Sequence, residues 1–244
     1  MSRAAPATAV RVLGQLRHDP RTVGLIIVVP SGFLALLRYS LSGRLGTFQS
    51  VGAPLVGLFP LVMMFLVTSI TMLRERTSGT LERLMTLPLS KLDLMTGYGI
   101  AFAIVAAAQG SVVAAVGFGL LGLHSDHGTA LVIGLAVANA VVGTSLGLFV
   151  SAFARTEFQA VQFMPAFVFP QLLLCGLVVP RAQMAGALQV VARYLPLTYA
   201  FDALGRAARS TRLGSGMRTD LVAMTLTALV ALFLGALTLP RRTA

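Results

Sequence analysis

Long apolar segments without charged residues alternate along the chain with short stretches that carry nearly all of the charge. An α-helix rises about 1.5 Å per residue, so about 20 residues cross the roughly 30 Å hydrocarbon core of a membrane. Six segments approach or exceed this length. The pattern therefore predicts an all-α membrane protein with a single transmembrane domain over 22–239 and about six spans, at residues 22–37, 51–73, 94–123, 129–153, 158–179 and 221–239.

The segment before the first span, residues 1–21, is basic and carries a weak amphipathic pattern. Val10, Leu13 and Leu16 recur at about helical spacing, while the arginines fall on other faces. The helix should end at Asp19, because the residue before a proline disfavours the α conformation. We expect this segment to form an interfacial helix on the cytoplasmic side of the membrane.

The connection at 180–220 is too long for a simple turn and predicts a short helical hairpin in the outer leaflet. Its first helix is expected at 182–192 and its second at 199–209, with Pro196 between them. Thr198 is the predicted N-cap of the second helix. Both helices are too short to cross a membrane, so we expect them to lie in it or dip into it.

The connection at 74–93, between the second and third spans, has a pattern that a simple linker does not need. Leu81, Leu84 and Met85 share one helical face. They predict a short amphipathic helix, Glu75–Leu87, at the inner surface of the membrane. An apolar face beside charged residues suits docking into a cleft on a soluble partner.

Composition excludes a soluble enzyme. Hydrophobic residues make up 56% of the chain and charged residues 11%, with a mean hydropathy of +0.85. A soluble domain usually has about a quarter charged residues. The net charge of +11 is carried at the edges of the apolar runs rather than in one stripe, a pattern that favours lipid headgroups over nucleic acid as the partner.

The distribution of basic residues predicts the orientation of the chain. Cytoplasmic ends of spans are enriched in lysine and arginine. With both termini inside, including the tail 240–244, 11 of the 19 basic residues are cytoplasmic: Arg3, Arg11, Arg17, Arg21, Arg74, Arg76, Arg83, Lys91, Arg155, Arg241 and Arg242. We therefore expect a multi-pass protein of the plasma (inner) membrane with cytoplasmic N- and C-termini.

The sequence contains no set of residues that predicts catalysis, cofactor binding or a metal site. A P-loop needs Gly-Lys before Ser or Thr, and the only lysine, Lys91, lies between Ser90 and Leu92. The GxSxG at Gly143–Gly147 has no histidine at membrane depth to serve as its base, so its glycines favour close helix packing instead. His124 and His127 flank a short polar turn in which a solvated surface is favoured over a metal.

Several amides lie inside the predicted spans: Gln109, Asn139, Gln159, Gln162 and Gln171. Polar groups at this depth usually face protein or a cavity. Hydrogen bonds between helices and contact with a substrate both remain open. No acidic or basic residue lies deep in a span, which disfavours a transporter coupled to protons or ions.

The inner connection resembles the signature of the ABC-2 type transporter permeases, and its drug-exporter branch, similar to daunorubicin-resistance permeases, is the best match. The second stretch that is similar to this family runs from Pro165 to Ala200. The residues that carry the first resemblance, followed by Pro88, are Glu75, Arg76, Gly79, Thr80, Leu81, Glu82 and Leu84.

The resemblance implies a function and a set of partners. These seven residues would couple the permease to a separate nucleotide-binding ATPase subunit, which would bind ATP and Mg²⁺. A second permease copy or paralogue would complete the pathway between the second and fifth spans. The residues expected to line it are Met63, Met64, Gln162, Met164, Phe167 and Gln171.

The expected function is therefore that of a permease subunit, without an ATPase site of its own, which exports a hydrophobic or amphiphilic drug-like compound. The resemblance leaves a lipid or polysaccharide exporter as the alternative. A membrane enzyme or a scaffold without a transport role is the more distant one.

Overall fold

The computed structural model describes residues 4–80, 91–125, 128–209 and 214–238. These residues form nine α-helices and no strand, which confirms the all-helical prediction for the part described. The helices are α1 (Ala4–Arg17), α2 (Pro20–Ser40), α3 (Leu45–Thr77), α4 (Lys91–Ala114), α5 (Thr129–Ser151), α6 (Glu157–Leu174), α7 (Gly186–Ala192), α8 (Pro196–Arg209) and α9 (Ser215–Thr238).

Five helices of the described residues are long and apolar enough to cross a membrane. They are α2, α3, α5, α9 and the stretch Thr96–Leu120, in which a π-helical turn, Ala115–Leu120, continues α4. A multi-pass membrane protein is thereby confirmed. The predicted fifth span corresponds to α6, which has 18 residues with three glutamines and two prolines and lies outside this set. The total of six spans stays a prediction.

Helix α3 runs through Thr77, past the predicted end of the second span at Leu73. The residues Arg74–Thr77 therefore continue α3, and the prediction that Glu75 opens a separate amphipathic helix is wrong. A turn at Ser78 and Gly79 follows. The apolar positions predicted for that helix, Leu81, Leu84 and Met85, lie outside the described residues.

The centre of the fold is the contact between α3 and α5, where glycines let the two backbones meet. A Cβ at Gly143 would overlap the carbonyl oxygen of Leu61 and lie 2.8 Å from its carbonyl carbon. One turn further along, a Cβ at Gly147 would lie 2.5 Å from the carbonyl oxygen of Phe65. The GxSxG pattern therefore serves helix packing, as the sequence indicated. Helices α3 and α5 lie so close together that a larger residue at either glycine would not fit between them.

Buried amides bind neighbouring helices across this centre. The Asn139 side chain in α5 donates to the Gly57 carbonyl in α3 at 3.2 Å, and Gln109 in α4 donates to the Ile26 carbonyl in α2 at 3.1 Å. Gln171 in α6 accepts from the backbone N–H of Leu197 at 3.4 Å. For these three amides, hydrogen bonding between elements is the observed role.

Helix α1 packs against α4 through a face that the sequence did not indicate. Ala5, Ala9 and Val12 are buried, whereas Val10 is 70% exposed. Small residues, Ala5 and Ala9 on α1 and Gly97 on α4, allow the two helices to approach closely, and Val12 is buried on the same face. The predicted end of α1 is confirmed, because Asp19 accepts a hydrogen bond from the backbone N–H of Thr22 and caps α2.

Two short helices follow α6, as predicted, but both begin at other residues than expected: α7 begins at Gly186 rather than 182, after a 3₁₀ turn at Arg181–Gln183. Helix α8 begins at Pro196, so Thr198 is not its N-cap but a buried residue in its first turn. Proline suits the first helical position because its fixed backbone is preorganised there. Arg181 pairs with Asp202 within the hairpin at 2.6 Å, and Arg206 of α8 pairs with Asp220, in α9, at 3.3 Å.

Candidate functional site

The last turn of α3 carries three consecutive charged residues, Arg74, Glu75 and Arg76, which we call the terminal turn. Successive residues of a helix point about 100° apart, so three in a row reach three different sides. Each of the three contacts a different part of the fold. The terminal turn is thus the place where the end of α3 is bound to the helices around it.

The central residue, Glu75, is buried and faces α1 and α4. Its Oε1 accepts a hydrogen bond from Arg11 Nη1 at 2.9 Å and a longer one from Gln15 Nε2 at 3.5 Å, both in α1. A second nitrogen of the same guanidinium, Arg11 Nη2, donates to the hydroxyl of Tyr98 in α4 at 2.9 Å. We call Arg11, Glu75 and Tyr98 the Arg11 cluster.

Burial makes the Arg11 cluster different from a surface ion pair. The side chains of Glu75 and Arg11 are 6% and 29% exposed, and Tyr98 is fully buried. Removing one partner of such a pair leaves a charge in a poorly solvated place, which costs several kcal/mol, about 3–5. The cluster therefore fixes α1 and α4 relative to the end of α3.

The two arginines of the terminal turn reach α5 and α6. Arg74 makes two parallel hydrogen bonds to Glu157, the first residue of α6, at 2.7 and 3.0 Å. These hydrogen bonds lower the pKa of Glu157. Arg76 Nη1 donates to the carbonyl of Ser151, the last residue of α5, at 2.7 Å. A cation at this end of a helix adds a donor to a terminal carbonyl and interacts favourably with the helix dipole.

A glycine with a left-handed backbone follows the terminal turn. Gly79 has φ +70°, and no atom lies within 4 Å of the position that a Cβ would take. The conformation, not crowding, therefore favours glycine here. The turn at Ser78 and Gly79 thus separates α3 from Thr80.

Substitution of Gly79 tests this backbone role. We expect Gly79→Ala to lower the free energy of unfolding by about 1 kcal/mol, since an L-residue is strained in this region, and Gly79→Asn to cost less. Gly46→Ala, at the other end of α3, is the matched control because its Cβ also meets no atom and its φ is not positive. Thermal unfolding of the purified variants measures the difference, and equal effects at both glycines would contradict the assignment.

The residues predicted for coupling divide into two groups. Glu75, Arg76, Gly79 and Thr80 lie together at the end of α3, and Ser78 Oγ lies 2.9 Å from Thr80 Oγ1. Glu75 faces inward, so its contribution is to position α3 rather than to contact another protein. Leu81, Glu82 and Leu84 lie outside the described residues, and their coupling role stays a prediction.

The residues predicted to line a pathway do not face one common space. Met63 lines a cavity beside α1 and α2, whereas Met64 is buried in the core. On α6, Phe167 is 43% exposed, Gln162 is exposed and Met164 packs against the core. Gln171 is buried against the first turn of α8. Their lining role stays a prediction.

A cavity of about 760 Å³ lies between the end of α1, the start of α2 and α3. Its walls are apolar towards the middle of α3 and polar towards the terminal turn. The apolar part includes Leu25, Ile26, Met63, Leu66, Val67 and Ile70, and the polar part includes Gln15, Asp19, Thr22, Thr71, Arg74 and Glu75.

Two residues of the site, Arg11 and Tyr98, were not assigned to it from the sequence. Arg11 was counted as one of several cytoplasmic basic residues, and Tyr98 lies inside a predicted span. They are 64 and 87 residues from the groups they bind, so no local pattern joins them. A tyrosine hydroxyl in an apolar span was the one available signal, because such a group needs a partner.

Among the described residues, no group of His, Cys, Asp and Glu could hold a metal ion. His124 is exposed, and its backbone N–H donates to Gln49 at 3.0 Å. His127 lies outside the described residues.

Comparison with known proteins gives a family match over most of the chain. The model described as ABC-2 type transporter matches residues 7–206, a range that includes the Arg11 cluster and the terminal turn. The probable multidrug ABC transporter permease YbhR of Escherichia coli strain K12 is 28% identical over 148 residues, which are 61% of this chain and 40% of that protein.

A more distant eukaryotic relative is also similar. ABC transporter G family member 20 of Dictyostelium discoideum is 27% identical over 138 residues, which are 57% of this chain and 19% of that protein. The matched part of the chain thus spans less than half the length of these relatives.

Proposed function

Because the chain belongs to the ABC-2 type transporter family, we propose that it is the membrane subunit of an exporter driven by a separate ATPase. The observation that carries this proposal is the terminal turn of α3, whose three charged side chains bind α1, α5 and α6 directly and reach Tyr98 of α4 through Arg11. A push on the segment after Gly79 would therefore move several helices at once.

The coupling step follows from this arrangement. ATP binding closes the partner ATPase dimer, and the motion enters through the residues that follow Gly79. The Arg11 cluster is stiff because its charges are buried, so α1 and α4 move with α3. In the proposed orientation this end of α3 is cytoplasmic, as are both termini.

A second permease subunit is part of the proposal. Helix α6 exposes large apolar residues, among them Phe158 and Phe169, and in the same helix the amide of Gln162 is exposed. An amide at membrane depth is unfavourable against lipid and favours a protein or aqueous neighbour. A copy of this chain or a paralogue facing α6 would supply one, and the pathway would lie between the two subunits.

The substrate class that we propose is a hydrophobic or amphiphilic drug-like compound, as in the daunorubicin-resistance-like branch of the family. The bacterial relative is named as a probable multidrug permease, which supports this choice. Export of a lipid or polysaccharide is the alternative within the family. Stimulation of ATP hydrolysis in the assembled complex by drug-like compounds, and not by lipids or glycans, separates the two.

Charge reversal in the coupling segment tests the proposal. We expect Glu82→Lys to abolish co-purification of the ATPase subunit and to reduce transport by at least about tenfold, because a like charge at a docking surface repels its partner. Insertion into the membrane should be unchanged. Unaltered co-purification together with unaltered transport would rule out this docking site.

The control is Arg193→Glu, a charge reversal at an exposed residue of the outer hairpin. In the proposed topology it lies on the opposite side of the membrane, so ATPase binding should survive. Loss of ATPase binding in both variants would point to a general folding defect, which the elution volume in size-exclusion chromatography reports.

A further inference from the structure

The cavity between α1, α2 and α3 has the form of a site for an amphiphile. Its volume of about 760 Å³ lies within the roughly 300–1,000 Å³ that small-molecule sites occupy. Ile26, Met63 and Val67 form an apolar wall, and Leu25, which is 62% exposed, lies at the rim. A molecule with an apolar body and a polar end would match both parts of the wall.

The charges at the polar end favour a cation. Of the residues that line it, Arg74 is paired with Glu157, and Glu75 is paired with Arg11. Asp19 makes no ion pair with the described residues and accepts hydrogen bonds from Thr22 alone among side chains. Because Arg74 and Glu75 are each neutralised by a partner, the carboxylate of Asp19 leaves one net negative charge at the polar end of the cavity.

Glu75 supplies a second acceptor. Its Oε2 is buried and accepts no hydrogen bond from the described residues. A buried polar atom without a partner is unfavourable by about 1–3 kcal/mol, so such atoms call for an explanation. A donor that enters the polar end of the cavity would relieve this cost, provided that the Glu75 side chain shifts enough to meet it.

We propose that this cavity binds an amphiphilic cation, with the ammonium group between Asp19 and Glu75 and the apolar body along Ile26, Met63 and Val67. The inference rests on the proposed export function, because it names a class of substrate for that exporter and the site at which the substrate would enter. The cavity opens beside the terminal turn, so an occupant would contact the helix end that receives the coupling motion.

The state of Asp19 agrees with this assignment. Hydrogen bonds from the hydroxyl and the backbone N–H of Thr22 lower the pKa of its carboxyl group. The carboxylate therefore stays charged at neutral pH. Asparagine is about as good an N-cap as aspartate, so Asp19→Asn removes the charge and keeps the cap of α2.

Binding of dodecylammonium to the purified full-length chain in zwitterionic lipid nanodiscs, without nucleotide, tests the site. Isothermal titration should show saturable binding of this cation, and weaker binding of neutral dodecanol and of anionic dodecyl sulfate. Asp19→Asn should weaken dodecylammonium binding about tenfold and leave dodecanol unchanged, as expected for one lost charge interaction. Val67→Trp should abolish binding of the cation by filling the apolar part.

The control for Val67→Trp is Val28→Trp, which adds the same side chain at a position that is 66% exposed and does not line the cavity. Cation binding that is equal in Val67→Trp, Val28→Trp and the unaltered chain would overturn the site. Preference for dodecyl sulfate would overturn the charge assignment and indicate an anionic lipid instead.

The cavity and the proposed export function can be refuted separately. Export of cationic amphiphiles by the assembled complex with unaltered rates in Asp19→Asn and Val67→Trp would refute the cavity and leave the transporter intact. Saturable binding at the cavity without any ATP-dependent transport would support the site and count against export.

Discussion

Gly143→Ala is expected to lower the free energy of unfolding by about 3 kcal/mol, the upper end of the usual cost of overpacking. The added methyl group would overlap the Leu61 carbonyl oxygen. Backbone cannot move aside as the end of a flexible side chain can, so α3 and α5 would have to separate. Unfolding of the purified chain in mild detergent by heat or by added denaturing detergent measures the change.

Gly134→Ala in the same helix is the matched control, because no atom lies within 4 Å of its Cβ position. Alanine favours a helix over glycine by up to about 1 kcal/mol, so this variant should be unchanged or more stable. The two substitutions are chemically identical, yet only Gly143→Ala should lower the free energy of unfolding. A Gly143→Ala protein as stable as Gly134→Ala would show that α3 and α5 do not meet at this point.

A double-mutant cycle on Arg11 and Glu75 is expected to give a coupling energy of about 2–3 kcal/mol. Either single alanine variant leaves the other charge without its partner in a largely buried place, which is unfavourable, whereas the double variant leaves neither. The free energies of unfolding of the four proteins provide the measurement.

The pair Arg74–Glu157 is the matched control for this cycle. It joins the same residue types at 2.7 Å, against 2.9 Å for Arg11 and Glu75. Its side chains are 62% and 52% exposed, so its coupling energy should stay below about 1 kcal/mol. Equal coupling energies for the two pairs would mean that burial does not distinguish the Arg11 cluster.

A glutamine variant of Glu75 separates stability from coupling in the assembled transporter. If the Arg11 cluster transmits motion, Glu75→Gln should reduce transport per ATP hydrolysed more than it reduces the amount of folded complex. The carboxamide keeps nearly the same volume and an acceptor oxygen, so packing is retained while the ion pair is lost. A fall in transport that matches the loss of folded complex would leave the cluster with a structural role alone.

The sequence by itself determined the class of the protein. A helix that crosses lipid needs an apolar segment of sufficient length, and both the length and the composition of such segments are visible in the sequence. It also determined helix boundaries that depend on neighbouring residues alone, such as the end of α1 and the start of α2 at Asp19 and Pro20. The glycines of the GxSxG pattern could be assigned to packing because no base lay at their depth. The motif from Glu75 to Leu84 was sufficient to indicate the family that the comparison then showed.

Only the tertiary structure decided which groups meet. The sequence pattern indicated an apolar face of α1 at Val10, Leu13 and Leu16, but it could not indicate that Ala5, Ala9 and Val12 would be buried against the rest of the protein. Thr198 had the side chain of an N-cap, yet Pro196 began the helix. In a chain that is apolar almost everywhere, hydrophobicity alone does not distinguish the face of a helix that packs on protein from the face that meets lipid.

The candidate site shows the same limit most clearly. Arg11, Glu75 and Tyr98 come from three helices, and each has an ordinary local context in the sequence. Their contacts, and the cavity beside them, depend on how α1 lies across the ends of α3 and α4. Pairing between residues 64 and 87 positions apart is a property of that packing, because a charge finds its partner only after the helices that carry it have been placed.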